Sequence, residues 1–196
     1  MADVHDVAAA ILAETGPDSP MRLQKLLYYV QGWHLATSGK PVFPDRIEAW
    51  RAGPVVPEVY KHHEGKREVA CWDEGDPDRL DSEYRETVRW VVARYAGFDR
   101  HQLSAMTHDE EPWRVARAGL SDDEPSSEPL SEQVMAAYFG RLTVDSETAI
   151  AQAVANARLE GMEVSAEAID YARAVGRGEM TTDEAVRRRI KELVGR

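Results

Sequence analysis

Apolar residues recur every three or four positions along most of the sequence, and proline and glycine interrupt this periodicity at short intervals. Such spacing is typical of amphipathic helices separated by turns. Gly16 and Pro17 end the first apolar run, and Ser19 and Pro20 then supply an N-cap residue and a first helical residue. Residues 47–50 alternate instead and are predicted to form one strand of a small hairpin. The pattern predicts a mainly α fold with a small β-hairpin.

The acidic and basic side chains are unevenly distributed. The chain of 196 residues has a formal net charge of −11 at pH 7, and residues 151–196 contribute none of it because their eight acidic and eight basic side chains cancel. This asymmetry indicates two parts with different surroundings, which we place at residues 1–144 and 145–196. An acidic chain lacks the basic face that displaces counterions from phosphates, so no direct nucleic-acid binding is expected.

Composition also predicts where the chain resides. Its single cysteine, Cys71, excludes an internal disulfide and fits a reducing compartment. No apolar run reaches the roughly 18–20 residues that a membrane-spanning helix needs, and the first residues lack the pattern of a signal peptide. We therefore predict a cytoplasmic protein that makes no contact with a membrane.

Residues 145–196 are predicted to form three short helices. The first is expected over residues 145–159, after a separate helix over residues 131–142. Ser165 is positioned to cap the second helix, and a Thr-x-x-Glu capping box at residues 181–184 begins the third. The apolar residues expected to face inward on the second and third helices are Ile169, Ala172, Val175, Val186, Ile190 and Leu193. Because fewer than about 50 residues bury little surface alone, we expect these helices to need the first part or a partner for stability.

Motifs typical of enzymes and cofactor-binding proteins are absent from the sequence. It has no phosphate-binding glycine loop, no Cys-x-x-Cys, no His-Glu-x-x-His and no nucleophile-elbow serine. His62, His63 and Cys71 are irregularly spaced, which is a weak signal for a metal site and fits ordinary surface histidines. The sequence therefore predicts no catalytic residue, no cofactor and no metal.

One cluster resembles the acid–base pair of an enzyme. His108 precedes three acidic residues at 109–111, and Pro112 follows them. Carboxylates are favoured in the first turn of a helix and proline suits its first position, so we interpret the cluster as the start of a helix. An enzyme would require these side chains to converge on one pocket.

Four blocks of the first part resemble a known family. They are residues 23–35, which read LQKLLYYVQGWHL, and residues 39–43, 47–60 and 107–114. In this order, over about residues 4–142, they resemble the Panacea (SocA-like) antitoxin domain. The resemblance implies a mostly helical domain with a small β element, a toxin–antitoxin or prophage setting, and neutralisation of a toxin by direct binding. In some relatives the domain acts instead as an adaptor that delivers a toxin to a AAA+ protease.

The aromatic residues in and near these blocks have two interpretations. They pack in the core, which is the default for such residues, or they line a groove for a partner, because aromatic side chains contribute strongly to binding energy. The six residues of this aromatic set are Tyr28, Tyr29, Trp33, Trp50, Tyr60 and Trp113.

The second part is similar to a different family. Residues 156–163 and 178–185 resemble the VbhA-like antitoxins, which inhibit Fic-domain AMP-transferases. The inhibitory helix of that family reads Ser/Thr-x-x-x-Glu-Gly/Asn. Glu160 and Gly161 match this motif, and Asn156 stands where the hydroxyl residue is expected. An asparagine side chain still forms hydrogen bonds at that position.

This second resemblance implies an electrostatic mechanism of inhibition. A Fic enzyme holds the γ-phosphate of ATP with an arginine, and Glu160 would bind that arginine instead. The residues expected to dock on the enzyme are Val154, Arg158, Leu159, Met162, Ile169 and Val186. We therefore predict the antitoxin of a type II toxin–antitoxin module whose partner is a Fic-domain toxin, with an adaptor for a AAA+ protease as the alternative.

Overall fold

The computed structural model is mainly α-helical, with a small two-stranded antiparallel sheet, so the predicted fold class is confirmed. The residues that it describes are 1–121, 123–177, 180 and 182–194. The chain divides into two compact units, Met1–Phe139 and Gly140–Arg196. Within the described ranges no helix is long and apolar enough to cross a membrane.

The first unit has a long central helix. In chain order its elements are α1 (Val4–Thr15), α2 (Pro20–Ser38), β1 (Glu48–Trp50), β2 (Gly53–Val55), α3 (Pro57–His63), α4 (Ser82–Arg94), α5 (Arg100–Asp109), α6 (Glu111–Ala116) and the beginning of α7 (Glu132–Leu159). A single 3₁₀ turn, Pro77–Arg79, precedes α4. Because α2 contacts α1, α3, α4, α5 and β2, it organises the core of this unit.

The bounds of α2 follow from residues that the sequence singles out. The Ser19 hydroxyl accepts a hydrogen bond from the N–H of Arg22 at 3.3 Å, and Pro20 is the first helical residue. At the other end Gly39 has a φ of 71° and its N–H donates to the Leu35 carbonyl at 3.0 Å. Glycine adopts this left-handed conformation without strain, so it ends the helix at Ser38.

Two glutamines on α2 hold the segments that follow it. The Oε1 of Gln31 accepts from the N–H of Val42 at 2.8 Å, and its Nε2 donates to the Phe43 carbonyl at 2.9 Å. Gln24 binds Val56 in the same way, accepting from its N–H at 2.7 Å and donating to its carbonyl at 3.3 Å. Both side chains are buried, and these bonds give buried backbone groups of the two segments hydrogen-bond partners on α2.

Lys25 is buried beneath the hairpin. Its Nζ donates to the Pro54 carbonyl at 2.9 Å, and burial lowers the pKa of Lys25 to about 7. A Cβ at Gly53 would lie 2.7 Å from Lys25 Cε and 2.7 Å from Thr107 Oγ1, and Gly53 has a φ of 98°. The turn therefore needs glycine at this position for both space and backbone conformation.

Residues that follow α5 hold the hairpin in place through hydrogen bonds to carbonyls of β1. Trp50 pairs with Gly53 across the two strands. The indole N–H of Trp113 donates to the Trp50 carbonyl at 2.9 Å, and the guanidinium of Arg117 donates to the Ala49 carbonyl at 3.1 Å. Two of the four blocks described in the sequence, residues 23–35 through Lys25 and residues 107–114 through Trp113, thus both contact this hairpin.

Gly32 lies where α2 packs against Phe139. A Cβ at Gly32 would come within 2.2 Å of Phe139 Cε2, so the ring would have to move. Gly32→Ala is expected to lower the free energy of unfolding by roughly 2 kcal/mol, measured by urea unfolding with tryptophan fluorescence. Gly140→Ala is the control, because a Cβ there meets nothing within 4 Å, and it should be neutral or slightly stabilising. Equal losses in the two variants would contradict this packing.

α7 is one continuous helix, so the prediction of two helices over residues 131–142 and 145–159 is wrong. Residues 141–159 contain neither glycine nor proline, so no residue interrupts the backbone hydrogen bonds between the two predicted segments. The second unit continues with α8 (Ala166–Arg177) and α9 (Thr182–Val194).

The predictions for α8 are confirmed at its start and partly wrong along its face. The Ser165 hydroxyl accepts from the N–H of Ala168 at 3.3 Å and caps the helix as predicted. Ala172 is exposed rather than inward, whereas Ile169 and Val175 are half-buried. Ala174 is buried instead.

On α9 the predicted inward face is wrong for Val186 and Ile190, which are 51% and 54% exposed. Thr181 and the side chain of Leu193 lie outside the described residues. Ala185 is buried, as Ala174 is on α8, and the two helices contact each other. The buried positions that the structure describes on these two helices thus carry small side chains. The larger apolar side chains of Val186 and Ile190 are in contact with solvent.

Candidate partner-binding sites

The second unit exposes large apolar side chains. Leu159, at the end of α7, is 87% exposed, and Met162 just after it is 53% exposed. Val186 and Ile190 on α9 are exposed as well. Single exposed apolar residues are common in globular proteins, whereas several in one small unit are typical of a surface that binds a partner.

The predicted docking residues differ in their exposure. Arg158, Leu159, Met162 and Val186 are exposed, whereas Val154 and Ile169 are half-buried. We name Leu159 and Met162 the apolar tip of α7. These two side chains are three positions apart and flank the glutamate of the predicted inhibitory motif.

The end of α7 has a Schellman motif. Gly161 has a φ of 77°, its N–H donates to the Arg158 carbonyl at 3.1 Å, and the N–H of Met162 donates to the Ala157 carbonyl at 2.9 Å. These bonds satisfy carbonyls that the helix leaves open, and the positive φ explains why a glycine follows Glu160. The motif requires no particular side chain at position 160.

Asn156 and Glu160 are both exposed at this helix end. The N–H of Glu160 donates to the Asn156 carbonyl at 3.1 Å, so the two residues are one helical turn apart and share a face. Within the described residues, the Glu160 carboxylate has no hydrogen bond or ion pair. Its two oxygens are open to solvent at a position that the backbone fixes.

Four members of the aromatic set belong to the core of the first unit. Tyr28 and Tyr29 are fully buried, and Trp33 and Trp113 are nearly so. The ring of Tyr29 stacks on Tyr95 with centroids 3.9 Å apart. Core packing, one of the two interpretations of the sequence, therefore accounts for these four residues.

The other two aromatic residues, Trp50 and Tyr60, are half-buried and line a cavity. Their ring centroids lie 4.7 Å apart in an edge-to-face arrangement. The cavity has a volume of about 220 Å³, and Met21, Lys25 and His63 also line it. A partner groove that uses the aromatic set is thus limited to this pair.

Glu110 is a buried acidic residue of the first unit, as Asp6 and Glu48 are. The Tyr28 hydroxyl donates to its Oε2 at 2.7 Å, and the Tyr29 hydroxyl donates to its Oε1 at 3.0 Å. Burial raises the pKa of Glu110 to about 7, although the two hydroxyl donors favour the charged form. This carboxyl therefore changes charge near neutral pH.

The side chains around His108 do not converge. Glu110 is buried, whereas Asp109 and Glu111 are exposed. The His108 ring stacks on Trp113 with centroids 4.3 Å apart. Glu111 lies in the first turn of α6, with Pro112 in the same turn, which agrees with the helix-start interpretation.

The three residues that give a weak signal for a metal site in the sequence do not share a site. Cys71 is exposed. His63 Nε2 lies 2.8 Å from Gln24 Nε2, and burial lowers the pKa of His63, so a neutral ring accepts from the amide. His62 lies instead with His5 and Glu58.

Sequence reasoning missed the buried polar residues that organise the first unit. Gln24, Lys25 and Gln31 interrupt the apolar run of α2, and Glu110 is one of three consecutive acidic residues. Gln24, Lys25 and Gln31 could have been found from the sequence, because they lie within a stretch that is otherwise aromatic and aliphatic. Polar residues in such a stretch are retained when they satisfy buried backbone groups.

Comparisons with known proteins match the two parts separately. The family model of the SocA-like antitoxin Panacea domain matches residues 23–114, and the model of the antitoxin VbhA matches residues 147–191. The chain is 47% identical over 45 residues to the antitoxin SocA of Caulobacter vibrioides (strain NA1000 / CB15N), which is 23% of this chain and 24% of that protein. The match thus spans about a quarter of that relative's length. No solved structure matches the chain.

Both matching models describe antitoxins, and they follow the order of the two resemblances in the sequence. Residues 23–114 are therefore similar to the SocA-like antitoxin Panacea domain, and residues 147–191 are similar to the antitoxin VbhA.

Proposed function

We propose that this chain is an antitoxin that binds a Fic-domain AMP-transferase and blocks its ATP site with Glu160. The observation that carries the proposal is the exposed carboxylate of Glu160 just after α7, which has no hydrogen bond or ion pair to any described residue and lies between the exposed side chains of Leu159 and Met162. The match to the VbhA model covers all three residues.

Inhibition would depend on competition for one arginine. The arginine that holds the γ-phosphate of ATP would bind Glu160 through two parallel hydrogen bonds, which carboxylate and guanidinium groups form with exacting geometry. Once water is excluded, this pair is stronger than in solution. The γ-phosphate is then displaced, or ATP binds in a pose that does not react.

Asn156 would assist from the same helical face. It lies one turn before Glu160, so both side chains enter the site together. Gly161 lets the chain turn away directly after the glutamate, without a side chain that meets the enzyme. Asn156 replaces the family's hydroxyl with an amide, which both donates and accepts hydrogen bonds.

The apolar tip of α7 would supply docking energy. Fully burying a leucine or methionine side chain contributes roughly 1.5–3 kcal/mol. The second unit exposes these side chains and buries small ones on α8 and α9, so a partner surface would complete its packing. The complex would form in the cytoplasm, where Cys71 stays reduced, as part of a type II toxin–antitoxin module.

A double variant tests this docking. Leu159→Asp with Met162→Asp is expected to weaken binding to a Fic-domain enzyme on the order of 30-fold, measured by calorimetry. Val115→Asp is the matched control, because Val115 is also 52% exposed but belongs to the first unit. An unchanged affinity in the double variant would place the docking surface elsewhere.

A protease adaptor would act through the lifetime of the toxin rather than through its active site. We expect the half-life of the Fic-domain enzyme in cells to stay constant when this chain is co-expressed, while its AMP transfer falls. A half-life that shortens only when a AAA+ protease is present would support the adaptor instead.

A further inference from the structure

Three potential metal ligands meet in the first unit, and none of them lines the cavity beside Trp50 and Tyr60. They are His5 in α1, and Glu58 and His62 in α3, and one ligand atom from each lies within 4.8 Å of the other two. We propose that these three side chains form a binding site for a divalent transition-metal ion such as Zn²⁺. Two imidazoles and one carboxylate are a usual ligand set for such ions.

The backbone holds this trio in place. Glu58 and His62 are four residues apart on α3 and therefore lie on one helical face. His5 reaches them from the first turn of α1, which contacts α3. All three residues are half-buried, and the Glu58 side chain is 42% exposed, so an ion would be partly shielded and still reachable from solvent. Lys61 pairs with Oε2 of Glu58 at 2.6 Å, which leaves Oε1 for the ion.

A second carboxylate supports His62. Oε1 of Glu74 lies 3.4 Å from Nδ1 of His62. Metal-binding histidines usually present their other ring nitrogen to a carboxylate or carbonyl, which orients the ring and strengthens it as a ligand. The carboxyl of nearby Asp45 has a raised pKa. Burial is the largest cause, and the negative charges of Asp3 and Glu58 add to it. A divalent cation would relieve this concentration of negative charge.

Trp72 competes with the ion for His5. Its indole N–H, which can only donate, lies 3.1 Å from Nδ1 of His5, and the two rings stack with centroids 5.9 Å apart. An ion on Nδ1 would take the lone pair that Trp72 uses. An ion on Nε2 would leave Nδ1 protonated and unable to accept. Metal binding therefore breaks the Trp72 hydrogen bond with either nitrogen.

Calorimetric titration of the untagged full-length chain with ZnCl₂ tests this site. We expect one ion per chain with micromolar affinity, and a loss of at least about tenfold in His5→Ala and in His62→Ala. His101→Ala is the control, because His101 is an exposed histidine on α5, and it should bind as the native chain does. Absence of one-to-one binding, or unchanged affinity in His62→Ala, would overturn the proposal.

A Trp72→Phe variant tests the competition independently of any loss of folding. Without the competing donor, Zn²⁺ should bind about twofold to tenfold more tightly. In the native chain, binding should also change the tryptophan emission, and this change should shrink in Trp72→Phe. Equal affinity and an equal emission change in the two proteins would contradict the proposed contact of the ion with His5.

Discussion

Glu160→Gly is expected to restore AMP transfer by the bound Fic-domain enzyme on the order of a hundredfold, while the complex stays assembled. Removing one member of a desolvated, hydrogen-bonded charge pair usually costs several kcal/mol in the function that the pair serves. In the proposed mechanism the pair excludes the γ-phosphate of ATP from its binding site. Loss of the pair should therefore be seen as restored AMP transfer. The assay is transfer of labelled AMP to a protein substrate at saturating concentrations of the variant.

Assembly should survive because the docking side chains are unchanged. Leu159 and Met162 keep their exposed positions, and Glu160 is not required by the Schellman motif that ends α7. A few buried apolar contacts usually dominate the energy of an interface. The affinity of Glu160→Gly for the enzyme should therefore stay within a few-fold of the native value.

Glu163→Gly is the matched control for this prediction. Glu163 is exposed like Glu160 and lies three residues further along the chain, outside the inhibitory motif. The control should suppress AMP transfer as the native chain does. Full suppression by Glu160→Gly as well would show that the glutamate is not the inhibitory group.

The stability of the first unit is expected to fall as the pH rises from 5 to 7, because of Glu110. Burial raises the pKa of Glu110 from 4.5 to about 7 in the folded chain, so the folded state binds a proton that the unfolded state has lost in this range. The stabilisation is fully present below pH 4.5 and is lost as the pH rises through 7. The shift corresponds to about 3 kcal/mol in total, of which roughly 2 kcal/mol is lost between pH 5 and pH 7.

Urea unfolding of the native chain and of Glu110→Gln measures this effect. All five tryptophans lie in the first unit, so their fluorescence follows its unfolding. The pH dependence of Glu110→Gln should be weaker by roughly 2 kcal/mol over this window. Lys25 has the opposite effect, because burial lowers its pKa to about 7, but this effect begins only at the upper end of the window and is shared by both proteins. Equal slopes in the two proteins would contradict the protonation of Glu110 at neutral pH.

The sequence was sufficient where local chemistry decides the structure. Ser19 marks the start of α2 and Gly39 marks its end, because an N-cap hydroxyl and a left-handed glycine act within one turn of the chain. The same holds for Gly161 at the end of α7 and for Ser165 at the start of α8. Such signals depend only on neighbouring residues, so periodicity and caps locate them.

Contacts between segments that are far apart in the sequence could not be predicted from such local signals. The tyrosines that bind Glu110 are about 80 positions away in the sequence, and the histidine that joins His62 belongs to α1. The predicted inward faces of α8 and α9 are wrong at Ala172, Val186 and Ile190, because periodicity finds an apolar stripe and does not tell whether each of its residues packs within the chain. Val186 and Ile190 are both more than half exposed.

The structure of this chain bound to a Fic-domain AMP-transferase is the most direct test of the proposed inhibition. We predict that both carboxylate oxygens of Glu160 lie about 2.7–2.9 Å from guanidinium nitrogens of an arginine in the nucleotide site, with Leu159 and Met162 buried against the enzyme. A complex in which Glu160 still faces solvent, with the nucleotide site open, would contradict the account.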